Sequence, residues 1–297
     1  MKNVKRSMFI ICLLALSRMV GQTQPEVHFT VDPDPIASHE VAYRYLLGHK
    51  VFLRKTPSKK GKKLTLLNIG TPLVLTQKSK SYEEIDGIRS HWYHVIAGEY
   101  KGWVWGGLIG QETFGSQANY DVKFVYGLER FKTSDSLVEE KYQIRAFRNG
   151  MQLDKIVFDG HQSNPLEIKN IGNKGLFNVE DIITLQVADA KRGSNQGRMY
   201  IFWNNGKFSY VANLIGKVEP NYTKKESFIF PSDMEGKKST IILKTRIMDK
   251  TRSLEDKTLK EASEVTTTMY TWNGYKLTKK EGIPIVSSPV VAQAKKP

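Results

Sequence analysis

The feature that most constrains the fold is the stretch 51–109, in which short apolar runs alternate with turn-forming residues. Gly, Pro and Ser lie between the apolar runs, which occur at 51–53, 73–75, 92–95 and 103–105. Such runs, separated by these residues, are typical of strands joined by tight turns. The stretch therefore predicts a small, strongly bent β-barrel, which we place at 45–111.

The chain from 119 to 281 is rich in β-forming residues and shows no sustained helical periodicity. Three Asn-Gly pairs lie between strand-like runs, at Asn149 and Gly150, Asn205 and Gly206, and Asn273 and Gly274. Asn-Gly fits the positive φ angles of the primed turns that join hairpin strands, so each pair predicts a β-hairpin. We therefore expect an all-β protein in which the small barrel is followed by a larger antiparallel β domain at 119–281.

The arrangement of that larger domain stays open between a sandwich-like and a propeller-like fold. The hairpins around Gly206 and Gly274 share an aromatic lead, a tryptophan before the turn and a lysine followed by an apolar residue after it. This likeness would suit the blades of a propeller. However, the three turns are unevenly spaced along the chain, and common hairpin chemistry explains the likeness equally well.

The motifs of 51–109, taken in order, resemble the bacterial SH3-like (SH3b) domain. They are Val51-x-Leu53-Arg54-x-x-Pro57-Ser58, Gly70-Thr71-x-Leu73-x-Leu75, Trp92-Tyr93-x-Val95 and Gly102-Trp103-Val104. The resemblance implies a small barrel that serves as a ligand-binding or targeting module, often for peptidoglycan peptides. The chain departs from the family in Phe52 of its opening motif, in the lysine-rich turn 59–63 and in the long connection 78–91. These departures leave the ligand open.

Residues 1–21 have the pattern of a secretory signal peptide. A basic start precedes the apolar run 8–16, which is much shorter than the roughly 20 residues that span a bilayer. We expect cleavage after Gly21 and an extended lead-in at 22–44. The protein would then be exported, periplasmic or secreted, with no stable membrane span. The alternative is that the segment stays uncleaved and tethers the protein to a membrane.

Cys12 is the only cysteine, and it lies inside the predicted signal peptide. The exported chain would then lack disulfides, thiolate metal sites and a cysteine nucleophile. Histidines offer no replacement, because His91 and His94 lie three residues apart on a predicted strand and should point to opposite faces. Neither a metal site nor a cofactor is predicted.

The formal net charge of +15 at pH 7 favours anionic partners. For an exported protein these would be cell-wall peptides or glycans, or an envelope protein, rather than nucleic acid. The alternative is a lysine-rich surface that serves solubility alone.

Aromatic residues crowd into the predicted barrel between residues 82 and 105. A barrel this small cannot enclose so many large rings, so we expect some to be exposed as a stacking surface for peptides or sugars. The predicted ligand-binding residues are Tyr82, Trp92, Trp103, Trp105, Lys59 and Lys60. Two alternatives stay open: the tryptophans close the ends of the barrel, or they are buried where the barrel packs as a scaffold on the second domain.

No catalytic residues are predicted, since the chain contains no Gly-x-Ser-x-Gly elbow and no His-Glu-x-x-His helix. The preferred function is an exported, non-catalytic protein that binds cell-envelope material or a protein partner. The alternative is a cell-wall hydrolase whose active site draws on carboxylates of the second domain, such as Asp154, Asp159, Glu180 and Asp181. The tail 282–297 is predicted to be disordered.

Overall fold

A computed structural model of the chain describes residues 26–34, 42–133, 138–160, 167–188, 196–252, 259–280 and 288–291. Strands predominate among these residues and no helix among them reaches seven residues, which confirms the predicted all-β fold class. The short 3₁₀ turn Gly106–Leu108 is the sole helical element among them. The predicted signal peptide lies outside the described residues. Within the described residues, no helix has the length and apolar character needed to cross a membrane.

The first sheet has seven strands and covers the segment predicted to be a barrel. Its strands are β1 (Glu26–Val27), β2 (Arg44–Tyr45), β3 (Val51–Arg54), β4 (Lys63–Leu67), β5 (Pro72–Ile85), β6 (Ile88–Ala97) and β7 (Tyr100–Trp105). The order is β2-β5-β6-β7-β3-β4 with antiparallel pairing, and β1 pairs with β6 in parallel. The sheet curls into a half-barrel around an apolar core that includes Leu53, Tyr93, Val95 and Val104.

Three further antiparallel sheets follow in chain order. Their strands are β8 (Glu112–Gly115), β9 (Lys123–Thr133), β10 (Val138–Arg148), β11 (Met151–Asp159), β12 (Glu167–Asn170), β13 (Asp181–Ala188), β14 (Gln196–Asn204), β15 (Lys207–Ile215), β16 (Lys217–Glu219), β17 (Tyr222–Ile229), β18 (Ile241–Arg252), β19 (Leu259–Trp272), β20 (Leu277–Lys279) and β21 (Ser288–Val291). The second sheet is β11-β10-β9-β8, and the third is β12-β13-β14-β15. The fourth is β16-β17-β18-β19-β20, with β21 also paired to β19.

All three Asn-Gly pairs lie in hairpin turns, as predicted. Asn149 and Gly150 have φ angles of 50° and 76° and join β10 to β11 in a two-residue turn. Asn205 and Gly206 join β14 to β15 in the same way, with φ angles of 48° and 74°. The third turn is longer, because Trp272 pairs with Leu277 and leaves four residues between the strands.

A further tight hairpin connects β5 to β6 through Asp86 and Gly87, inside the segment 78–91 that the sequence suggested to be a long connection. Asp86 and Gly87 have φ angles of 51° and 76°. The turn is docked on the second sheet, since the backbone N–H of Phe131 donates to the carbonyl of Asp86 at 3.1 Å. A Cβ atom on Gly87 would lie 1.6 Å from the carbonyl oxygen of Phe131. Glycine is therefore required here both by the backbone angle and by the close approach of β9.

An apolar core continues from the first sheet into the second and third. It joins Trp92 and Trp105 of the first sheet to Phe124, Ile144 and Trp203 of the next two. A separate cluster joins the third sheet to the fourth, where the rings of Phe202 and Trp272 meet edge to face at 4.9 Å. The sheets are thus held to their neighbours by buried aromatic contacts.

Three of the segments that the sequence places outside the two predicted domains contain strands in the structure. Strand β8 lies between the predicted barrel at 45–111 and the predicted second domain at 119–281, and it pairs with β9. In the extended lead-in predicted at 22–44, strand β1 comprises only Glu26 and Val27. Within the tail 282–297, residues 288–291 form β21, which pairs with β19.

We predict that Gly87→Ala lowers the free energy of unfolding by about 3 kcal/mol or more, because the new methyl group has to displace the backbone of β9. Gly206→Ala is the matched control, since its φ angle of +74° is similar but no atom lies within 4 Å of the added Cβ. Gly206→Ala should lower the free energy of unfolding only by the conformational cost of an alanine at positive φ, about 1 kcal/mol. Equal losses of unfolding free energy in the two variants, measured by urea denaturation, would contradict the docking of this hairpin on the second sheet.

Candidate functional site

The predicted tryptophans lie on the face of β6 and β7 that points away from the half-barrel core. Trp92 pairs with Trp105 and His94 pairs with Trp103, while the residues between them point into the core. Trp92 and Trp105 are each only 4% exposed. The prediction that they form an exposed stacking surface is therefore wrong. They are buried because the second and third sheets pack on this face, as in the scaffold alternative.

One glutamate fixes both buried indoles. The Nε1–H of Trp92 donates to a carboxylate oxygen of Glu83 at 2.7 Å, and the Nε1–H of Trp105 donates to the backbone carbonyl of Glu83 at 3.1 Å. Buried indole N–H groups need an acceptor, and here β5 supplies both. The two rings are consequently held in fixed positions at the junction of the sheets.

A cavity of about 450 Å³ opens beside these two rings. Apolar side chains in its wall include Phe52, Ile85 and Leu108. Its cationic side chains belong to Lys50, Arg54, Lys59 and Arg145, and His49 also lines it. We refer to the space bounded by Trp92, Trp105 and these four cationic residues as the basic cavity.

The lysine-rich turn 59–63 forms one edge of the basic cavity. Arg54 holds this turn in place, because its Nη1 donates to the carbonyl of Gly61 at 2.9 Å. Gly61 itself is packed closely, since an added Cβ would lie 2.6 Å from Oγ1 of Thr56. Lys59 therefore lies at the cavity, whereas the neighbouring Lys60 is exposed and does not line it.

Arg145 reaches the basic cavity from β10 of the second sheet. Its Nε donates to Oε1 of Gln143 at 2.6 Å, and its Nη2 lies 3.9 Å from a carboxylate oxygen of Glu129. Burial lowers the pKa of Arg145, and the nearby Glu129 carboxylate acts in the opposite direction. Glu129 is shared with Lys155, which it contacts at 2.7 Å, so Arg145 is only partly neutralised.

The charged side chains that line the basic cavity are cationic, while the carboxylates of Glu83 and Glu129 lie behind the lining at Trp92 and Arg145. The lining contains four lysine or arginine side chains, and no carboxylate of the described residues belongs to it. Like charges gathered around a partly enclosed, low-dielectric wall raise the local concentration of counter-ions. The arrangement can therefore hold an anion beside the apolar side chains of the cavity wall.

The other residues predicted for the binding surface lie elsewhere. Tyr82 is 51% exposed and meets the ring of His91 edge to face. Trp103 is half-buried and meets His94 edge to face at 5.4 Å. The structure thus gathers three of the six predicted residues, Trp92, Trp105 and Lys59, at one cavity.

Sequence reasoning missed Lys50, Arg54 and Arg145 as cavity residues. Arg54 belongs to the opening motif of the predicted barrel and ends strand β3, so the motif was a signal that could have identified it as a candidate. Arg145 carries no such signal, because only the packing of the second sheet on the first brings it to the cavity.

The carboxylates weighed for a hydrolase have structural partners. Asp181 is fully buried and accepts hydrogen bonds from Oγ of Ser116 at 2.5 Å and from the backbone N–H of Gln117 at 2.8 Å. Asp154 accepts from the backbone N–H of Phe208 at 2.9 Å.

The remaining two carboxylates are also engaged. Asp159 pairs with Lys141, and Glu180 accepts from the backbone N–H of Asn205 at 3.2 Å. These contacts tie strands and turns together, so each of the four carboxylates already has a role in the fold.

We predict that the fluorescence of the five tryptophans is only weakly quenched by iodide, since four of them are nearly fully buried. Caesium should quench less than iodide, because the cations of the basic cavity repel it from Trp92 and Trp105. Trp103→Phe should remove most of the quenchable signal. Stern–Volmer constants close to those of free tryptophan would contradict the burial of these rings.

In comparisons with known proteins, no family model, no curated protein and no solved structure matches this chain.

Proposed function

We propose that this protein is an exported, non-catalytic binding protein that holds an anionic component of the cell envelope in the basic cavity. The observation that carries the proposal is the lining of that cavity, with four cationic side chains beside two fixed tryptophan rings. The signal-peptide pattern of residues 1–21 supports export. The motif order at 51–109 supports a binding module.

The chemistry of the lining points to a compact ligand with more than one carboxylate. Arginine presents a planar fork that matches a carboxylate, and lysine adds an adjustable point charge. The apolar wall beside the two buried tryptophans, to which Phe52 and Ile85 contribute, can contact the body of the ligand. A cavity of about 450 Å³ is of the size that encloses small molecules and is too small for a long polymer segment. The stem peptide of peptidoglycan, which bears free carboxylates, has this chemistry.

Charge variants test the proposal better than removal of the tryptophans. Trp92→Ala would empty a buried core position and cost about 3–5 kcal/mol, so lost binding would not be separable from lost folding. Lys50 and Lys59 are exposed at the edge of the cavity, and their replacement leaves the apolar core intact.

We predict that the double variant Lys50→Gln with Lys59→Gln binds soluble peptidoglycan stem peptides about tenfold more weakly than the unmodified protein, since each lost charge contact is worth roughly 0.7 kcal/mol. The matched control is Lys60→Gln with Lys62→Gln, which removes the same net charge, in the turn that carries Lys59, without touching the cavity lining. Titration calorimetry at low and physiological ionic strength measures both, and binding should weaken as salt rises.

Two results would overturn the proposal. One is absence of binding to free-carboxylate stem peptides by the unmodified protein. The other is an equal loss of affinity in the cavity variant and in the control, which would assign any binding to net charge alone. Stem peptides with amidated carboxyl groups should bind at least tenfold more weakly than the free acids if the lysines and arginines recognise carboxylates.

A further inference from the structure

The short strand β1 pairs with the beginning of β6. The residues of β6 that pair with β7 start two positions later, at Trp92. Glu26 and Val27 pair in parallel with Arg89 and Ser90, and Oγ of Ser90 donates to the carbonyl of Val27 at 2.8 Å. Val27 itself is buried in the interface core at 3% exposure. Side chains alternate along an extended segment, so Glu26 and His28 project together on the side opposite Val27.

Three potential metal ligands meet at this point. Nε2 of His28 lies 3.2 Å from one carboxylate oxygen of Glu26, and Nε2 of His91 lies 3.9 Å from the other. One donor atom from each of the three residues falls within 4.8 Å of the other two. A tetrahedral zinc ion, with bonds of about 2.0–2.1 Å, needs ligand atoms roughly 3.3 Å apart. Small side-chain rotations therefore suffice to bring the three donor atoms from within 4.8 Å of one another to the spacing that one ion requires.

The orientation of His91 already suits a metal. Its Nδ1 lies 2.8 Å from the backbone carbonyl of Ser79, and a carbonyl can only accept, so Nδ1 carries the proton. Nε2 then has a free lone pair, and it is this atom that faces Glu26. A backbone carbonyl bound to the second ring nitrogen is the usual partner that orients a metal-ligating histidine. The ring of Tyr82 packs edge to face on His91 and restricts its rotation further.

We propose that Glu26, His28 and His91 form a binding site for a divalent zinc-class ion. Two imidazole nitrogens and one carboxylate are a ligand set that zinc takes in proteins, with the remaining position left for water or a further ligand. The side chains of His91, Glu26 and His28 are 13%, 31% and 55% exposed, so the site lies at the surface and is open on one side. Bound metal would clamp the β1 segment onto β6.

This site does not depend on the basic cavity, whose lining includes none of its three residues. Sequence reasoning considered His91 only together with His94 and predicted no metal site. The actual partners of His91 are Glu26 and His28, which parallel pairing brings from more than 60 positions away.

The test is titration calorimetry of the untagged protein with Zn²⁺ alone, Ni²⁺ alone and Mg²⁺ alone. We expect one Zn²⁺ or Ni²⁺ per chain and no Mg²⁺, because Mg²⁺ prefers a shell of oxygen ligands. His28→Gln and Glu26→Gln should each weaken Zn²⁺ binding at least tenfold, since each removes one of three ligands. His94→Gln is the control and should leave affinity unchanged, because this histidine contacts Thr76 and Trp103 instead.

A second measurement separates ligation from folding. Zn²⁺ should raise the unfolding temperature of the unmodified protein and of His94→Gln, but not that of His28→Gln, whose exposed side chain can change without loss of core packing. Absence of stoichiometric Zn²⁺ binding would overturn the proposal. Equal affinity in the unmodified protein and in both ligand variants would also overturn it.

Discussion

The packing of the outer face of β6 and β7 against the second and third sheets is the interaction on which the rest of the structure depends. It buries Trp92 and Trp105 in a core that extends to Phe124 and Trp203. Burial of aromatic rings removes a large apolar area from water and dominates such an interface. The same contact brings Arg145 to the edge of the half-barrel and so creates the basic cavity. A barrel folded alone would expose these rings and lack this cation.

Strand β6 shows how one strand can serve several environments. Tyr93 and Val95 fill the half-barrel core, while Trp92 packs toward the second sheet. His91 is turned to the β1 segment, where Glu26 and His28 meet it. Side-chain alternation separates the two faces of the strand. Pairing with β1 gives the beginning of β6 a third set of neighbours. The proposed anion site and the proposed metal site thus share one strand without sharing a residue.

The parts of the fold that depend on local chemistry were predictable. Asn149 with Gly150 and Asn205 with Gly206 form two-residue turns because few other pairs adopt positive φ at both positions. The inward position of Tyr93, Val95 and Val104 also follows from alternation. The environment of the tryptophans was not predictable in this way. Alternation assigns Trp92 and Trp105 to the outer face, but it does not tell whether solvent or another sheet lies there.

The sequence by itself determined the β class, the hairpin positions, the split of β6 into two faces and the positive charge, because each depends on residues close together in the chain. Only the tertiary structure decided that Trp92 and Trp105 are buried, that Arg145 joins Arg54 and Lys59, and that Glu26 and His28 meet His91. The physical reason is that these contacts join segments far apart in sequence. Their geometry depends on how whole sheets pack and pair, which local propensity does not encode.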